Sequence, residues 1–281
     1  MPLHGSRSVQ GVSVPPFLYG TAWKEERTEG LTRLAIAAGF RGMDTANQRR
    51  HYFEAAVGAG VAAASGEIDR GSIFLQTKFT HRAGQDHRLP YDPGADIGVQ
   101  VRQSFESSLE HLRSPHVESY VLHGPSTRRG LTEEDWRAWR AMEELQREGK
   151  ARLLGVSNVS LEQLSTLHGG AAVKPVFVQN RCYASTGWDR EVRAFCRENG
   201  LFYQGFSLLT ANARELAGSA FARVANRAGR SPAQVAFAFA LAVGMIPLTG
   251  TSSAEHMTED LAALDLALEP AEVDALERVS G

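Results

Sequence analysis

Short apolar runs alternate with longer segments of helical spacing along almost the whole chain. The runs are rich in Val, Ile, Leu, Phe and Tyr, which is typical of buried strands in a parallel sheet. Eight such runs occur, at residues 17–23, 42–46, 72–79, 118–123, 152–157, 176–181, 201–207 and 245–249. Segments 96–113 and 132–150 show helical periodicity, and the second opens with the helix-start sequence Thr-Glu-Glu-Asp. This alternation predicts an α/β fold, a closed (β/α)8 TIM barrel, rather than an open sheet.

The chain length sets the expected domain organisation. A barrel of this kind takes about 250 residues, so the 281 residues predict a single domain over 1–281. Residues 8–13, with Gly11 between them, predict a short hairpin that closes the N-terminal end of the barrel. The most apolar stretch, 235–246, is shorter than the roughly 20 residues that a membrane span needs, and it therefore predicts a buried helix.

Composition and charge narrow the classes of partner. The formal net charge of -2, with both signs interspersed, leaves no basic face for nucleic acid, so small molecules are the expected partners. Residues 1–10 lack a secretory signal pattern, so we expect a cytoplasmic protein. The two cysteines, Cys182 and Cys196, do not suggest a disulfide framework. The nine histidines show no spacing typical of a metal site, so no metal is expected.

Polar side chains stand at the ends of three successive predicted strands. Asp44, Lys78 and His123 occupy these positions in strands two, three and four. Taken singly, each has an ordinary structural explanation: a helix cap, a solvated lysine and a hydrogen-bonded core histidine. Because the carboxyl ends of parallel barrel strands meet at one rim, the three side chains together predict an active site there.

Four ordered segments carry a family resemblance. They are Gly-Met-Asp-Thr-Ala at 42–46, Gln-Thr-Lys at 76–78, Val-Leu-His-Gly-Pro at 121–125 and Gly-Val-Ser-Asn at 155–158. With these segments the chain resembles the aldo-keto reductases over residues 17–266. The resemblance implies a (β/α)8 barrel that binds a nicotinamide dinucleotide and transfers its hydride to an aldehyde or ketone, using an Asp, Tyr, Lys and His tetrad. It also implies a small carbonyl compound as the partner. The Gly-x-Gly-x-x-Gly fingerprint of the doubly wound dinucleotide fold is absent from the sequence.

The chemistry of carbonyl reduction explains why these residue types belong together. Hydride addition places negative charge on the carbonyl oxygen, so a proton donor and hydrogen-bond donors must face that oxygen. A free tyrosine has a pKa of about 10, and we expect the Lys78 ammonium to lower the pKa of the catalytic tyrosine. Asp44 is expected to keep Lys78 charged and oriented. His123, as a neutral imidazole, is expected to polarise the carbonyl.

The tyrosine is the point at which the chain departs from the family pattern. The family places it five residues after the aspartate, where this chain has Arg49. Arginine has a pKa above about 12 and cannot act as the acid. The following Ala-Val-Gly at 56–58 fits the family's next helix if about one residue has been inserted. We therefore predict Tyr52 as the general acid. The alternative is that Tyr52 packs in the helix and that His51 or His123 donates the proton.

The resemblance also implies a dinucleotide site along the same rim. The first strand ends in Gly20, Thr21 and Ala22, followed by Trp23 as a wall for the substrate, which would also contact Tyr52 and His123. The remaining predicted cofactor residues are Asp44, Ser157, Asn158, Gln179, Phe206, Ser207, Leu208, Thr249, Gly250, Thr251, Glu259 and Asp260. The amides among them suit the nicotinamide carboxamide, and the Phe206 ring can stack on the nicotinamide. Helix capping and barrel packing are the structural alternatives for these positions.

Further differences from the family pattern bear on the choice of cofactor and on the shape of the substrate pocket. Family members that select the 2′-phosphate of NADP often place a lysine and an arginine near the positions of Leu248 and His256. Leucine and histidine at these places weaken the usual basic clamp, so NADPH is expected from the resemblance alone, with NADH as the alternative. Gly124 replaces the family's tryptophan after the histidine, which predicts a more open pocket. Tyr91 and Trp188 are further candidates for its lining.

Two other functions remain open from the sequence. A Schiff-base lyase could use Lys78 as its nucleophile, although pairing with Asp44 would keep the lysine protonated. A dinucleotide-binding sensor or subunit with little turnover is the other alternative, supported by the displaced Tyr52.

Overall fold

The computed structural model describes residues 5–66 and 68–279. Eight parallel strands pair in chain order and the last pairs with the first to close a barrel, which confirms the predicted (β/α)8 fold. The barrel strands are β3 (Leu18–Gly20), β4 (Gly42–Asp44), β5 (Phe74–Phe79), β6 (Val117–Leu122), β7 (Ala151–Ser157), β8 (Phe177–Arg181), β9 (Phe202–Phe206) and β10 (Ile246–Thr249). Each lies within the run of apolar residues that predicted it or extends it by one residue.

Helices surround the barrel, and several begin where the sequence carries a start signal. They are α1 (Thr28–Ala38), α2 (Glu54–Ala63), α3 (Ile97–Leu112), α4 (Glu133–Arg147), α5 (Leu161–Gly170), α6 (Arg190–Glu198), α7 (Ala213–Leu216), α8 (Ser219–Ala228), α9 (Pro232–Ala242), α10 (Ala254–Leu261) and α11 (Pro270–Glu277). At the start of α4, Thr132 and Asp135 form a reciprocal capping box. The helix α9 ends at Ala242, earlier than the apolar run predicted, because Gly244 takes a left-handed conformation before β10. Among the described residues, no helix has the length and apolar character needed to cross a membrane.

A hairpin precedes the barrel and packs against its N-terminal end. Its strands, β1 (Arg7–Val9) and β2 (Val12–Val14), pair antiparallel, with Ser8 opposite Ser13. Val12 and Val14 are buried in an apolar cluster with Leu18 and with Phe74 of the barrel interior. The hairpin therefore contributes to an apolar floor inside the barrel.

The barrel interior changes from apolar to polar along the strands. In β5, Phe74 belongs to the apolar floor, and Gln76 and Lys78 follow it on the same inward face because side chains alternate along a strand. Gln76 and Lys78 are fully buried. The polar layer above the floor lies at the carboxyl ends of the strands, where barrel enzymes carry their active sites.

Candidate active site

Lys78 and Asp44 form a buried ion pair at the carboxyl end of the barrel. Lys78 Nζ lies 2.7 Å from each carboxylate oxygen of Asp44 and 2.8 Å from the carbonyl oxygen of Thr45. These contacts engage all three N–H groups of the ammonium. Burial lowers the pKa of Lys78, and the Asp44 carboxylate opposes that shift. The geometry disfavours a Schiff-base lyase, because a nucleophilic amine must be free and unprotonated.

Tyr52 lies beside this ion pair. Its ring centroid is 5.2 Å from Lys78 Nζ and 6.0 Å from the ring centroid of His123. Among the residues that the structure describes, none forms a hydrogen bond with the Tyr52 hydroxyl. The structure thus brings together the four side chains predicted as a tetrad: Asp44, Tyr52, Lys78 and His123.

Desolvation dominates the pKa of Tyr52. Burial, reinforced by the negative charge of Asp44, raises the pKa of Tyr52 above its usual value. The expectation of a lowered pKa for Tyr52 is therefore wrong, because the net shift is upward. The physical reason is that desolvation of the buried phenolate, together with the negative charge of Asp44, outweighs the attraction to the Lys78 ammonium, which is itself paired with Asp44 at 2.7 Å.

Arg49, five residues after Asp44, is directed away from the tetrad. Its guanidinium lies 3.0 Å from a carboxylate oxygen of Glu25 and 4.3 Å above the ring of Phe53. The turn that follows is closed by a hydrogen bond of 3.0 Å from the Tyr52 amide to the carbonyl oxygen of Gln48. This turn carries the chain past Arg49 and presents the Tyr52 ring to Lys78.

His123 is held as a neutral imidazole. Burial and the nearby Lys78 charge lower the pKa of His123 to about 3. Nδ1 lies 2.7 Å from the Thr80 hydroxyl, which can donate to it and leave the ring proton on Nε2. A neutral ring with its N–H on Nε2 is a hydrogen-bond donor suited to a carbonyl oxygen.

The predicted polar residues Ser157, Asn158 and Gln179 form a connected group at β7 and β8. Ser157 Oγ donates to the carbonyl oxygen of Gln179 at 2.6 Å, and Asn158 Nδ2 donates to the carbonyl oxygen of His123 at 2.8 Å. Gln179 Nε2 donates to Asp44 Oδ1 at 3.0 Å. The Gln179 oxygen Oε1 has no hydrogen-bond partner among the described residues, and it is not enclosed by them. It therefore remains as an acceptor for a bound group.

The end of β9 offers a flat apolar surface. Phe206 is half-buried, and the guanidinium of Arg181 lies 5.6 Å from its ring centroid. Ser207 has a φ of 58°, in the left-handed region that is uncommon for residues other than glycine. The side chain of Leu208 is buried in the core, so only its backbone is available to a cofactor.

The first loop at the rim is tied to the second barrel strand. Thr21 donates through its hydroxyl to the carbonyl oxygen of Asp44 at 2.9 Å, so this hydroxyl is engaged within the protein. Gly20 and Ala22 flank it and are half-buried. Trp23 has a φ of 62°, is 68% exposed and lies over His51 with 4.0 Å between the ring centroids. Its exposed face fits the predicted role as a substrate wall.

The loop after β10 is stabilised from within. Thr249 Oγ1 donates to Asp260 Oδ2 at 2.7 Å, and the Tyr19 hydroxyl donates to the carbonyl oxygen of Thr251 at 2.8 Å. Gly250 is exposed, and its carbonyl oxygen accepts a hydrogen bond from Lys24 Nζ. Lys24 was missed by the sequence reasoning, although its place directly after Trp23 is a usable signal.

Several predicted positions differ from expectation near this loop. Glu259 is exposed on α10, whereas Asp260 is buried. Leu248 is buried in the apolar cluster that contains Leu18 and Phe74, so its side chain packs within the protein. Tyr91 and Trp188 are also buried in the core, so the expectation that they line the pocket is wrong. An aromatic residue in a predicted loop can pack in the core or line a pocket, and the sequence alone does not distinguish the two.

Comparison with known proteins decides the family. The model of the Aldo/keto reductase family matches residues 18–280. The chain belongs to the aldo/keto reductase family. This confirms the resemblance seen in the four ordered segments.

The matches to relatives in the family span most of the length of both chains. An aldo-keto reductase of Mycolicibacterium vanbaalenii is 29% identical over 244 residues, which covers 86% of this chain and 80% of the relative. The glyoxal reductase of Bacillus subtilis is 26% identical over 273 residues, covering 96% of this chain and 90% of the relative. A crystal structure of an aldo-keto reductase complexed with NADPH superposes with a TM-score of 0.82 at 21% identity, over 96% of this chain and 85% of the other. At that identity the superposition supports the aldo/keto reductase fold alone.

Proposed function

We propose that this protein reduces small aldehydes or ketones with a hydride from NADPH, and that Tyr52 is the general acid. The observation that carries the proposal is the convergence of Tyr52 on both Lys78, at 5.2 Å, and the His123 ring, at 6.0 Å. Relatives in sequence include proteins named glyoxal reductase and methylglyoxal reductase, and these names indicate small carbonyl substrates.

The residues at the rim fit a nicotinamide dinucleotide. Gln179 Oε1 has no hydrogen-bond partner in the described part of the chain and can accept from the carboxamide N–H2 group, and Phe206 presents a flat ring on the neighbouring strand. NADPH is preferred over NADH because an aldo-keto reductase of the same fold is complexed with NADPH. When bound, the dinucleotide supplies the hydride that is added to the carbonyl carbon.

The chain's own residues act on the carbonyl oxygen. The His123 imidazole, neutral because its pKa is lowered to about 3, donates a hydrogen bond to the oxygen and orients it. The Tyr52 hydroxyl then transfers its proton to the same oxygen as negative charge develops there. A developing alkoxide is more basic than a phenolate, so this transfer is favourable even though burial raises the pKa of Tyr52.

The ion pair supports the acid without donating the proton. The Lys78 ammonium makes its three hydrogen bonds to Asp44 and Thr45, and its charge lies over the Tyr52 ring. As the phenol loses its proton, the ammonium offsets part of the desolvation cost of the phenolate that forms. Lys78 therefore assists the transition state by electrostatics, and Asp44 holds it in place.

The test compares Tyr52→Phe with His51→Asn, because His51 is the neighbouring candidate for the acid. Methylglyoxal reduction is followed through NADPH oxidation, and the dissociation constant of NADPH through quenching of protein fluorescence. We expect Tyr52→Phe to lose about 10²- to 10⁴-fold in kcat/KM, the usual contribution of a general acid, with the dissociation constant unchanged. His51→Asn should retain most activity.

Two outcomes would contradict the proposal. Full activity in Tyr52→Phe together with loss in His51→Asn would move the acid to His51. Binding of NADPH by the unmodified protein without oxidation by any member of an aldehyde and ketone panel would favour a sensor instead. Assaying the same aldehydes and ketones with NADH and comparing the rates with those for NADPH establishes the cofactor preference.

A further inference from the structure

Three glutamines meet across the interior of the barrel. Gln76 lies on β5, Gln179 on β8 and Gln204 on β9, and all three are buried. Each follows a phenylalanine two residues earlier on the inward face, and those phenylalanines form the apolar floor beneath the glutamines. The layer is therefore closed from below, and its amides must find partners among themselves and at the rim.

The amide nitrogens of two glutamines converge on one carboxylate oxygen. Gln76 Nε2 donates to Asp44 Oδ1 at 2.7 Å, and Gln179 Nε2 donates to the same oxygen at 3.0 Å. Each also donates its second N–H to Gln204 Oε1, at 2.7 Å and 2.9 Å respectively. Both amide groups are thus held at two points.

The direction of every amide follows from the charge of Asp44. An ionised carboxylate only accepts hydrogen bonds, so Gln76 and Gln179 must turn their nitrogens toward it. Gln204 must then face them with its oxygen, since the reversed amide would oppose N–H2 groups to N–H2 groups. Its nitrogen donates to Gln76 Oε1 at 3.0 Å, and Ser119 Oγ donates to the same oxygen at 2.8 Å.

One polar atom is left over from this arrangement. The Gln76 amide and the Gln204 amide use both their nitrogen and their oxygen inside the layer. Gln179 uses its nitrogen there, and its Oε1 has no partner among the described residues. Because the Asp44 charge orients the amides, Gln179 Oε1 is left as an acceptor that the described residues do not enclose.

We propose that Gln204 is a positioning residue that fixes the Gln179 amide with its oxygen toward the carboxamide N–H2 of the bound dinucleotide. Gln204 acts only through the other glutamines, because its own amide is used within the layer. The inference rests on the proposed function, which places the nicotinamide beside Gln179.

The test measures recognition of the carboxamide by binding alone. NADPH is compared with its analogue in which an acetyl group replaces the carboxamide, so that the N–H2 donor is lost while the carbonyl remains. Dissociation constants come from quenching of protein fluorescence. We expect the unmodified protein to bind the analogue about five-fold more weakly than NADPH, the usual worth of one neutral hydrogen bond.

Variants of Gln204 should change this ratio. In Gln204→Met the Gln179 amide loses one of its two anchors, and we expect the ratio to fall below about two-fold. Gln204→Glu should keep the ratio, because a protonated carboxyl group offers the same acceptor and donor pattern as the amide. If Gln204→Met does not fold, Gln204→Asn serves in its place, since the shorter side chain withdraws the acceptor from both amides.

Controls separate positioning from a general loss of stability. Ser119→Ala removes a hydrogen bond from the same layer without touching Gln179, and it should lower the melting temperature but leave the ratio unchanged. Gln179→Met should abolish the discrimination directly. A ratio that falls in Gln179→Met but not in the Gln204 variants refutes the positioning role. A ratio of one in the unmodified protein refutes the carboxamide contact on which the inference rests.

Discussion

The buried carboxyl group of Asp260 allows a quantitative test of the electrostatics of the β10 loop. Asp260 is 4% exposed, and among the described residues its side chain forms a hydrogen bond only with the Thr249 hydroxyl. Burial raises the pKa of Asp260 from 3.8 to about 6. Replacing Asp260 with asparagine removes the titration and keeps an oxygen that can accept from Thr249.

The sign of the effect follows from the direction of the shift. A folded-state pKa above the unfolded value means that the folded protein holds this proton more tightly, so the associated stability is present below pH 3.8 and is lost as the pH rises through about 6. Above that pH the fold must bury an ionised carboxylate. The shift of about 2 pH units corresponds to about 3 kcal/mol as an upper limit.

We therefore expect Asp260→Asn to raise the free energy of unfolding by about 1 to 3 kcal/mol at about pH 8, and to change it little at about pH 4. The assay is urea unfolding at the two pH values, without dinucleotide, since a ligand that binds only the folded state would add its own stabilisation. Unchanged m-values would show that the unfolded state is the same in both proteins.

The neighbouring Glu259 provides a matched control. It is exposed on the same helix, so Glu259→Gln should stay within about 0.5 kcal/mol of the unmodified protein at both pH values. A loss of stability in Asp260→Asn at about pH 8 would refute the reasoning. So would a gain of the same size at both pH values, because it could not arise from a titrating carboxyl group.

Two further predictions concern the ion pair and the imidazole. Lys78→Met leaves the Asp44 carboxylate buried without its cation, and we expect a loss of about 3 to 5 kcal/mol in urea unfolding. The double variant that adds Asp44→Asn should recover part of this loss, and no recovery would argue against an uncompensated charge as the cause. Because the pKa of His123 is lowered to about 3, its protonation should leave kcat/KM for methylglyoxal flat between about pH 5 and 8. A limb near about pH 6.5 that disappears in His123→Gln would contradict the neutral imidazole.

The barrel could be predicted from the sequence because each strand carries its own apolar run. Strand ends were less certain, since they depend on contacts that no local pattern contains. The first strand was predicted to reach Trp23, yet β3 ends at Gly20 because Thr21 turns to the carbonyl oxygen of Asp44, and Trp23 takes a left-handed conformation. The Thr21 contact depends on a neighbouring strand more than twenty positions away in the sequence.

The polar layer of the barrel shows what the sequence contained but did not reveal alone. The pattern Phe-x-Gln occurs in β5, β8 and β9, and in each case it places an aromatic ring in the floor and an amide above it. One buried glutamine in an apolar strand does not by itself predict a hydrogen-bond network. The three become a network only when strands that are distant in sequence close into a barrel, which is why Gln76 and Gln204 were not predicted beside Gln179.

The position of Tyr52 depends on the contacts that hold Arg49 outside the pocket. It does not follow from the number of residues after Asp44. Counting alone puts Arg49 where the family has its tyrosine, and a strict register would bury a guanidinium beside Lys78. The structure avoids that like-charge contact, because Glu25 holds Arg49 at 3.0 Å and the Phe53 ring covers it at 4.3 Å. The extra turn that removes the arginine is the same turn that delivers the Tyr52 ring to within 5.2 Å of Lys78. An insertion in this loop is therefore compatible with the tetrad, provided that the displaced position has a partner outside the pocket.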